Sequence, residues 1–172
     1  MTEYRRAKVL VSRCLLGQRV RYDGGAHGPF DRLALWQAQG RIVPLCPEVF
    51  GGLPTPRPPA EIPGGQGSGV LEGAVQVVTD TGADVTVAFV AGAQEALRLA
   101  QLHGIRIAVL KARSPSCGNE ENYDGTFTGT RVPGEGVTAA ALRHAGVKVF
   151  NEDQLEAATQ MLERLDAALR QD

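Results

Sequence analysis

The three cysteines of this 172-residue chain have the most distinctive chemistry in the sequence. Cys14, Cys46 and Cys117 are too far apart along the chain to form a local Cys-x-x-Cys motif, but each comes just after a segment with strand character. The carboxyl ends of parallel strands lie at one edge of a sheet, where ligands bind. Cysteines that only fill a core are expected inside strands and helices. The sequence therefore predicts that three thiols meet at one sheet edge.

Three thiolates at one place are suited to two kinds of metal site. Three cysteines and a water would make a catalytic zinc site. Soft thiolates also suit an iron–sulfur cluster, and a cubane with three cysteine ligands leaves one iron open as a Lewis acid. None of the three histidines offers a clear fourth ligand, because surface or helix-capping positions are expected for His27, His103 and His144. Zinc, a cluster and simple burial of the thiols all remain open at this point.

Two residues near the cysteines are candidates for proton transfer. Glu48 follows Cys46 by two residues, so in an extended strand end both side chains share one face. A carboxylate there is a candidate general base, with an ordinary strand-end carboxylate as the alternative. Ser114 precedes Cys117 by three residues and is a candidate for moving a proton or orienting water. Its alternative is a turn-forming serine before Pro115.

Charged residues near the cysteine segments are candidates for contacts with a ligand. Lys111 and Arg113 flank the Cys117 segment, where they can neutralise a negatively charged cluster or bind a phosphate. Alternatively, both are ordinary charged residues on the solvated surface. Asp23 and Arg57 are weaker candidates for the wall of the same cavity.

A glycine-rich segment and two aromatic residues complete the set of candidates. The segment 134–138 enters a predicted helix, so its backbone amides and Thr138 can receive an anion. Tyr123 and Phe127 can stack on a flat ring, although an aromatic residue in a glycine-rich loop often only anchors that loop.

The elements that must position these residues alternate along the chain. Helical patterns at 29–39, 84–103, 137–145 and from 151 onward separate strand-like runs at 7–12, 41–45, 105–110 and 147–150, with a short extended run at 74–78. Asp84 and Asn151 are the predicted N-caps, and Gly40, Gly104 and Gly146 the predicted helix ends. Pro44 predicts that its strand ends early or lies at a sheet edge. This alternation is typical of an α/β fold with a mostly parallel sheet flanked by helices.

Two stretches of the chain show no regular spacing of apolar residues. Residues 51–73 contain seven Gly and five Pro in 23 positions, and residues 112–135 are similarly irregular. The first stretch surrounds Arg57 and Glu61 with rigid prolines rather than flexible Gly/Ser repeats. We therefore predict two long ordered active-site loops and not linkers.

Composition narrows the class of protein. With 43% hydrophobic and 22% charged residues, the chain is too apolar for disorder, and we expect one domain over residues 1–172. A net charge of −1 argues against a partner such as long nucleic acid. No apolar run is long enough for a membrane span or a signal peptide. Three cysteines without a secretory signal predict a reducing cytoplasm.

Motifs along the chain resemble a family once catalogued as a domain of unknown function and now associated with thiouracil desulfidases. The motifs in the N-terminal half are Ser12-Arg-Cys14-Leu-Leu-Gly17, Arg21-Tyr-Asp-Gly24, Cys46-Pro-Glu48, Gly51-Gly52, Pro54-Thr-Pro-Arg57 and Glu61. Those in the C-terminal half are Lys111-Ala-Arg-Ser-Pro-Ser-Cys117-Gly118, Tyr123-Asp-Gly-Thr-Phe-Thr-Gly129 and Gly134-Glu-Gly-Val-Thr138. They occur in order over roughly residues 7–155.

The resemblance implies a Rossmann-like domain with an oxygen-sensitive [4Fe-4S] cluster on Cys14, Cys46 and Cys117. It also implies that Glu48 and Ser114 are catalytic residues. The open iron would take the sulfur of a thiolated pyrimidine base, nucleoside or nucleotide, and water would supply the oxygen without a redox change. Two alternatives are a zinc-dependent hydrolase on the same cysteines and a non-catalytic iron–sulfur sensor or carrier.

Overall fold

The computed structural model describes residues 6–171; the charged start of the chain and the last residue lie outside it. The helices and strands of this part are β1 (Val9–Ser12), α1 (Asp31–Ala38), β2 (Ile42–Leu45), α2 (Pro47–Phe50), β3 (Ala60–Glu61), α3 (Gly67–Leu71), β4 (Val78–Thr79), α4 (Thr86–His103), β5 (Ile107–Val109), β6 (Glu121–Tyr123), β7 (Arg131–Pro133), α5 (Val137–His144), β8 (Lys148–Phe150) and α6 (Leu155–Gln171). A 3₁₀ turn, Arg13–Leu16, follows β1 directly.

The central sheet has four parallel strands in the order β2-β1-β5-β8. Val9 of β1 is in register with Ile42 of β2 on one side and Ile107 of β5 on the other. The predicted α/β fold with a parallel sheet is therefore confirmed. The expectation for Pro44 is also confirmed, because β2 is an edge strand and proline cannot donate to a ladder.

Helices cover both faces of this sheet because side chains alternate along β1. Val9 and Val11 point to one face, where they join Leu33 of α1 and Leu162 of α6. Leu10 points to the other face and packs in a cluster with residues of α4 and α5, among them Ala96 and Leu142. Burial of these two faces anchors the strands whose ends carry the cysteines.

A third apolar cluster joins the helices that lie beside the predicted loops. Its buried members are Ile62, Val70, Val77, Phe89, Ala93, Val137 and Ala141. Close backbone contact fixes α2 against α4 here, since a Cβ atom built on Gly92 would lie 2.3 Å from the carbonyl oxygen of Pro47. Helix α2, which carries Glu48, is thereby held against the longest helix of the domain.

Both predicted loops are ordered but contain regular elements. The segment 51–73 includes β3 and α3, and β3 pairs antiparallel with β4, the two-residue strand at the end of the predicted run 74–78. The segment 112–135 contains the β6–β7 hairpin. The spacing of apolar residues shows no period in these segments, because strands of two or three residues are too short to produce one.

Two predicted N-caps are wrong in detail. Helix α6 begins at Leu155, and the Asn151 side chain instead accepts a hydrogen bond from the Asp153 backbone N–H (2.9 Å). Helix α4 begins at Thr86, and Asp84 accepts from the Thr86 N–H (2.9 Å) just before it. Asn and Asp side chains bind backbone groups two residues on, which produces turns as readily as caps. No helix among residues 6–171 is long and apolar enough to cross a membrane.

Candidate active site

The three cysteines follow three adjacent strands of the sheet. Cys14 lies in the 3₁₀ turn after β1, Cys46 stands between β2 and α2, and Cys117 lies in the segment after β5. All three are free thiols and line the same cavity of about 540 Å³. The parallel sheet therefore brings residues that are up to 103 positions apart in sequence to one place, as their positions after strands predict.

Burial determines the protonation state of these thiols. It raises the pKa of Cys14 to about 11 and also raises the pKa values of Cys46 and Cys117 above their ordinary range. At neutral pH the three groups are thus neutral thiols in the protein alone. Metal binding would displace their protons, because thiolates and not thiols are the ligands.

The donor set is chemically suited to an iron–sulfur cluster. Cys14, Cys46 and Cys117 supply three soft sulfur donors around one cavity. A mononuclear zinc site needs its ligands to converge on a single point. In a cubane each cysteine binds a different iron, so three soft donors spaced around one cavity are suited to it.

Glu48 lies in the first turn of α2, not in an extended strand end as predicted, and its carboxylate is held by Arg57. Arg57 Nε donates to Glu48 Oε1 (3.3 Å), and the two side chains are only 4% and 16% exposed, respectively. Burial raises the pKa of Glu48, and the Arg57 guanidinium opposes that rise. The result is a carboxylate with a fixed orientation that lines the cysteine cavity.

Arg57 was predicted to contact a substrate, but most of its donors bind the protein. Besides Glu48, its guanidinium donates to the Pro54 carbonyl (3.2 Å), the Thr55 hydroxyl (3.1 Å) and the Val20 carbonyl (3.0 Å). It lines the cavity, but these bonds make it a residue that orients Glu48 and fixes the 51–61 segment.

The Ser114 hydroxyl also lines the cavity, and its orientation is set by the turn that carries Cys117. Ser114 Oγ accepts hydrogen bonds from the backbone N–H groups of Ser116 and Cys117, both at 3.1 Å. Because its lone pairs are used in this way, the hydroxyl hydrogen remains to be donated. Ser114 is both the turn-forming serine and a cavity donor.

Two residues received no role from the sequence: Ser12, which lines the cavity, and Glu152, which lies against Lys111. Ser12 Oγ accepts from the Lys111 N–H (3.0 Å) and lies 3.6 Å from Cys117 Sγ, so its one hydrogen is donated to that sulfur. Glu152 pairs with Lys111 Nζ (3.1 Å) and accepts from the Ala112 N–H (2.7 Å). Glu152 follows β8, so the strand-end rule that selected the cysteines would also have selected it.

The remaining predicted residues divide into two groups. Lys111 and Arg113 line the cavity, but the ammonium group of Lys111 is engaged by Glu152 and the Ala112 carbonyl.

Asp23 is not part of the lining; it accepts from the Gly25 N–H (2.8 Å) and pairs with Arg21. Thr138 is fully buried and shares a hydrogen bond with Ser116 (3.0 Å). Neither Asp23 nor Thr138 is among the residues that line this cavity, and their contacts with a ligand stay predictions.

The histidines do not contribute to this cavity. His27 is half-buried and its backbone N–H donates to the Cys14 carbonyl (2.8 Å). His103 and His144 end α4 and α5, as expected for helix-terminal residues.

A parallel α/β domain that brings three free thiols, a carboxylate and a serine hydroxyl to one cavity has the features of a protein that binds a thiophilic metal group. Residues 9–154 match the family model described as 2-thiouracil desulfurase. The chain belongs to this family of enzymes, and the resemblance read from its motifs is confirmed.

Two known proteins are similar to most of the chain. One is an uncharacterized protein, YbbK, of Bacillus subtilis (strain 168), 43% identical over 147 residues, which are 86% of this chain and 97% of YbbK. The other is a solved structure of the [4Fe-4S]-dependent thiouracil desulfidase TudS. It is 49% identical with a TM-score of 0.83, covering 92% of this chain and 99% of TudS.

Proposed function

We propose that this protein holds a [4Fe-4S] cluster on Cys14, Cys46 and Cys117 and removes sulfur from a thiolated pyrimidine without a redox change. The observation that carries the proposal is the shared cavity, which three free thiols from three strand ends line together with Glu48 and Ser114. Similarity to TudS, a [4Fe-4S]-dependent enzyme, supports the cofactor. The substrate is a thiouracil, a thiouridine or its nucleotide.

The net reaction is a hydrolysis. The carbon–sulfur double bond of the ring is replaced by a carbon–oxygen double bond, water supplies the oxygen, and sulfur leaves as hydrogen sulfide. No electrons are transferred, so no oxidant or reductant is required. When bound, the cluster supplies an iron without a protein ligand, which acts as a Lewis acid for the sulfur.

In this proposal the protein supplies the proton transfers. Glu48 takes a proton from the water that attacks the ring carbon, and Arg57 holds the carboxylate in the orientation that this needs. Ser114 passes its free hydroxyl hydrogen to the departing sulfur and takes one back from the hydroxyl formed on the ring carbon, while its oxygen stays bound to the Ser116 and Cys117 amides. The proton taken up by Glu48 is the second one that leaves with the sulfur, so both residues end as they began. Lys111 lines the same cavity, and its ion pair with Glu152 fixes the position of its ammonium group.

The test is anaerobic reconstitution followed by a substrate screen. Protein loaded with iron and sulfide should be brown and should release sulfide from 2-thiouracil or 4-thiouracil, or from their nucleosides or 5′-nucleotides. A brown protein that releases sulfide from none of them would instead be a non-catalytic iron–sulfur module. A colourless protein that is active with zinc would support the zinc hydrolase. We propose the reducing cytoplasm as its compartment, because three free thiols must stay reduced.

A further inference from the structure

The turn that connects β6 and β7 holds a phenylalanine in an unusual backbone conformation. Phe127 has a φ of 57°, in the left-handed region that bulky residues rarely adopt. Glycine or asparagine would adopt this conformation more easily. A phenylalanine at such a position therefore suggests that the aromatic ring itself has a function.

The backbone of this turn is fixed from outside by Glu61. Glu61 Oε1 accepts hydrogen bonds from the N–H groups of Gly125 (2.9 Å) and Phe127 (3.3 Å). A Cβ atom built on Gly125 would lie 2.5 Å from the Cα of Pro63, so the turn also packs directly on the segment that follows Glu61. These contacts hold Phe127 in place without any contribution from its ring.

The Phe127 ring does not serve as a core anchor. The residue is half-buried and belongs to none of the three apolar clusters found among the described residues. It lines the same cavity as the three cysteines, Glu48 and Ser114. The structure thus positions an aromatic side chain at the reaction cavity and not in the core.

We propose that Phe127 is the surface on which the flat ring of the substrate stacks, and that Glu61 is the residue that positions it. The inference rests on the proposed function, which supplies a planar, polarizable pyrimidine as the ligand. Aromatic side chains bind such rings through their faces with little dependence on hydrogen-bonding pattern. Stacking of this kind acts on the substrate and the transition state alike, so it should lower KM more than it raises kcat.

The experiment measures steady-state desulfuration of 2-thiouracil by the reconstituted enzyme. Phe127→Gly and Phe127→Asn remove the ring but accept the left-handed backbone, so the turn should survive. Each should raise KM by at least about fivefold, with a much smaller change in kcat and an unchanged cluster absorbance. Phe127→Tyr, which keeps an aromatic ring, should restore most of the affinity. Leu102→Ala, an exposed site on α4, is the control for substitution as such.

Two outcomes separate this inference from the proposed function. Unchanged KM in both ring-deleted variants, or a loss confined to kcat, would overturn the role of Phe127 while leaving desulfuration intact. Absence of sulfide release by the wild-type enzyme would contradict the proposed function instead. In that case calorimetric binding of 2-thiouracil still decides the matter, since the Phe127→Gly variant must bind it more weakly than the wild type.

Discussion

The side chains around the cavity make hydrogen bonds that limit what each of them can do chemically. Arg57 uses its donors on Glu48 and three oxygen atoms of the protein, so it orients a carboxylate instead of reaching for a ligand. Ser114 accepts two amide hydrogens and keeps one hydrogen to donate. Glu48 and Ser114 are therefore the two cavity residues to which the proposed function assigns the proton transfers.

Substitution of Glu48 separates catalysis from cluster binding. Glu48→Gln keeps the size of the side chain and an oxygen that can accept from Arg57, but the amide cannot act as a base. The variant should keep the brown cluster and bind thiouracil, and its turnover should fall at least about a hundredfold. Sulfide release and visible absorbance measure the two properties. Unchanged turnover with an intact cluster would make Ser114 the next candidate, whereas loss of the cluster would mean that Glu48 supports the ligands.

The Ser12 hydroxyl bonds to both Cys117 and the Lys111 backbone, so its removal should affect both the stability of the fold and the retention of the proposed cluster. Ser12→Ala leaves the Lys111 N–H without its acceptor and Cys117 without a donor. We expect the free energy of unfolding to fall by about 1–3 kcal/mol and the cluster to be lost faster to an iron chelator. Urea unfolding and the decay of absorbance test this. Ser12→Thr, which keeps the hydroxyl, is the matched control. A Ser12→Ala variant with the stability and cluster lifetime of the wild type would refute this role of the hydroxyl.

At the scale of elements, the position of α2 decides where Glu48 and Cys46 stand. This helix has only four residues and cannot hold its place alone. It is held because the backbone of α4 approaches it closely at Gly92, and Gly51 at its end packs on Ala88 in the same way. The orientation of the carboxylate in the cavity therefore depends on a contact between two helices as well as on Arg57.

Adding one methyl group to this contact should disturb the cavity. The Cβ of Gly92→Ala would lie 2.3 Å from the Pro47 carbonyl oxygen, a backbone atom that can move only with α2. Overpacking of this kind typically costs about 1–3 kcal/mol. We expect lower thermal stability together with reduced turnover. Gln94→Ala, an exposed site on the same helix, should change neither. A Gly92→Ala variant with wild-type turnover would show that α2 tolerates the shift.

For the whole molecule, the residues that pack the core are largely distinct from the proposed cluster ligands. Three apolar clusters pack the sheet and its helices, and Cys14 and Cys117 contribute only small side chains to two of them. Cys46 belongs to none of the three. The three cysteines thus contribute little to the packing of the core.

Each cysteine should therefore be needed for activity but not for the fold. Cys14→Ala, Cys46→Ala and Cys117→Ala should each abolish colour and sulfide release while leaving the far-UV circular dichroism nearly unchanged. The melting temperature should fall least for Cys46→Ala, because that thiol is only half-buried and lies outside the apolar clusters. Full activity in any one variant would remove that cysteine from the site.

The sequence by itself determined the strands of the central sheet, the four longest helices and the meeting of the cysteines. Val9, Leu10 and Val11 alternate between two buried faces, and the glycines after α1, α4 and α5 adopt the positive φ expected at helix ends. A short apolar run and a glycine after a helical pattern are local signals, so they can be recognised without coordinates. Once the strands were parallel, residues just beyond them had to share one edge.

Only the tertiary structure decided which side chains of the irregular segments reach the cavity. Ser12 bonds to Cys117 across 105 positions and Glu61 to Gly125 across 64, and no local period encodes either pair. Thr138 has the same kind of glycine-rich neighbourhood as the cavity residues, yet its helix turns it into the protein interior. In segments without a period, backbone amides and carboxylates are satisfied by distant partners, and those bonds exist only when the whole chain is folded.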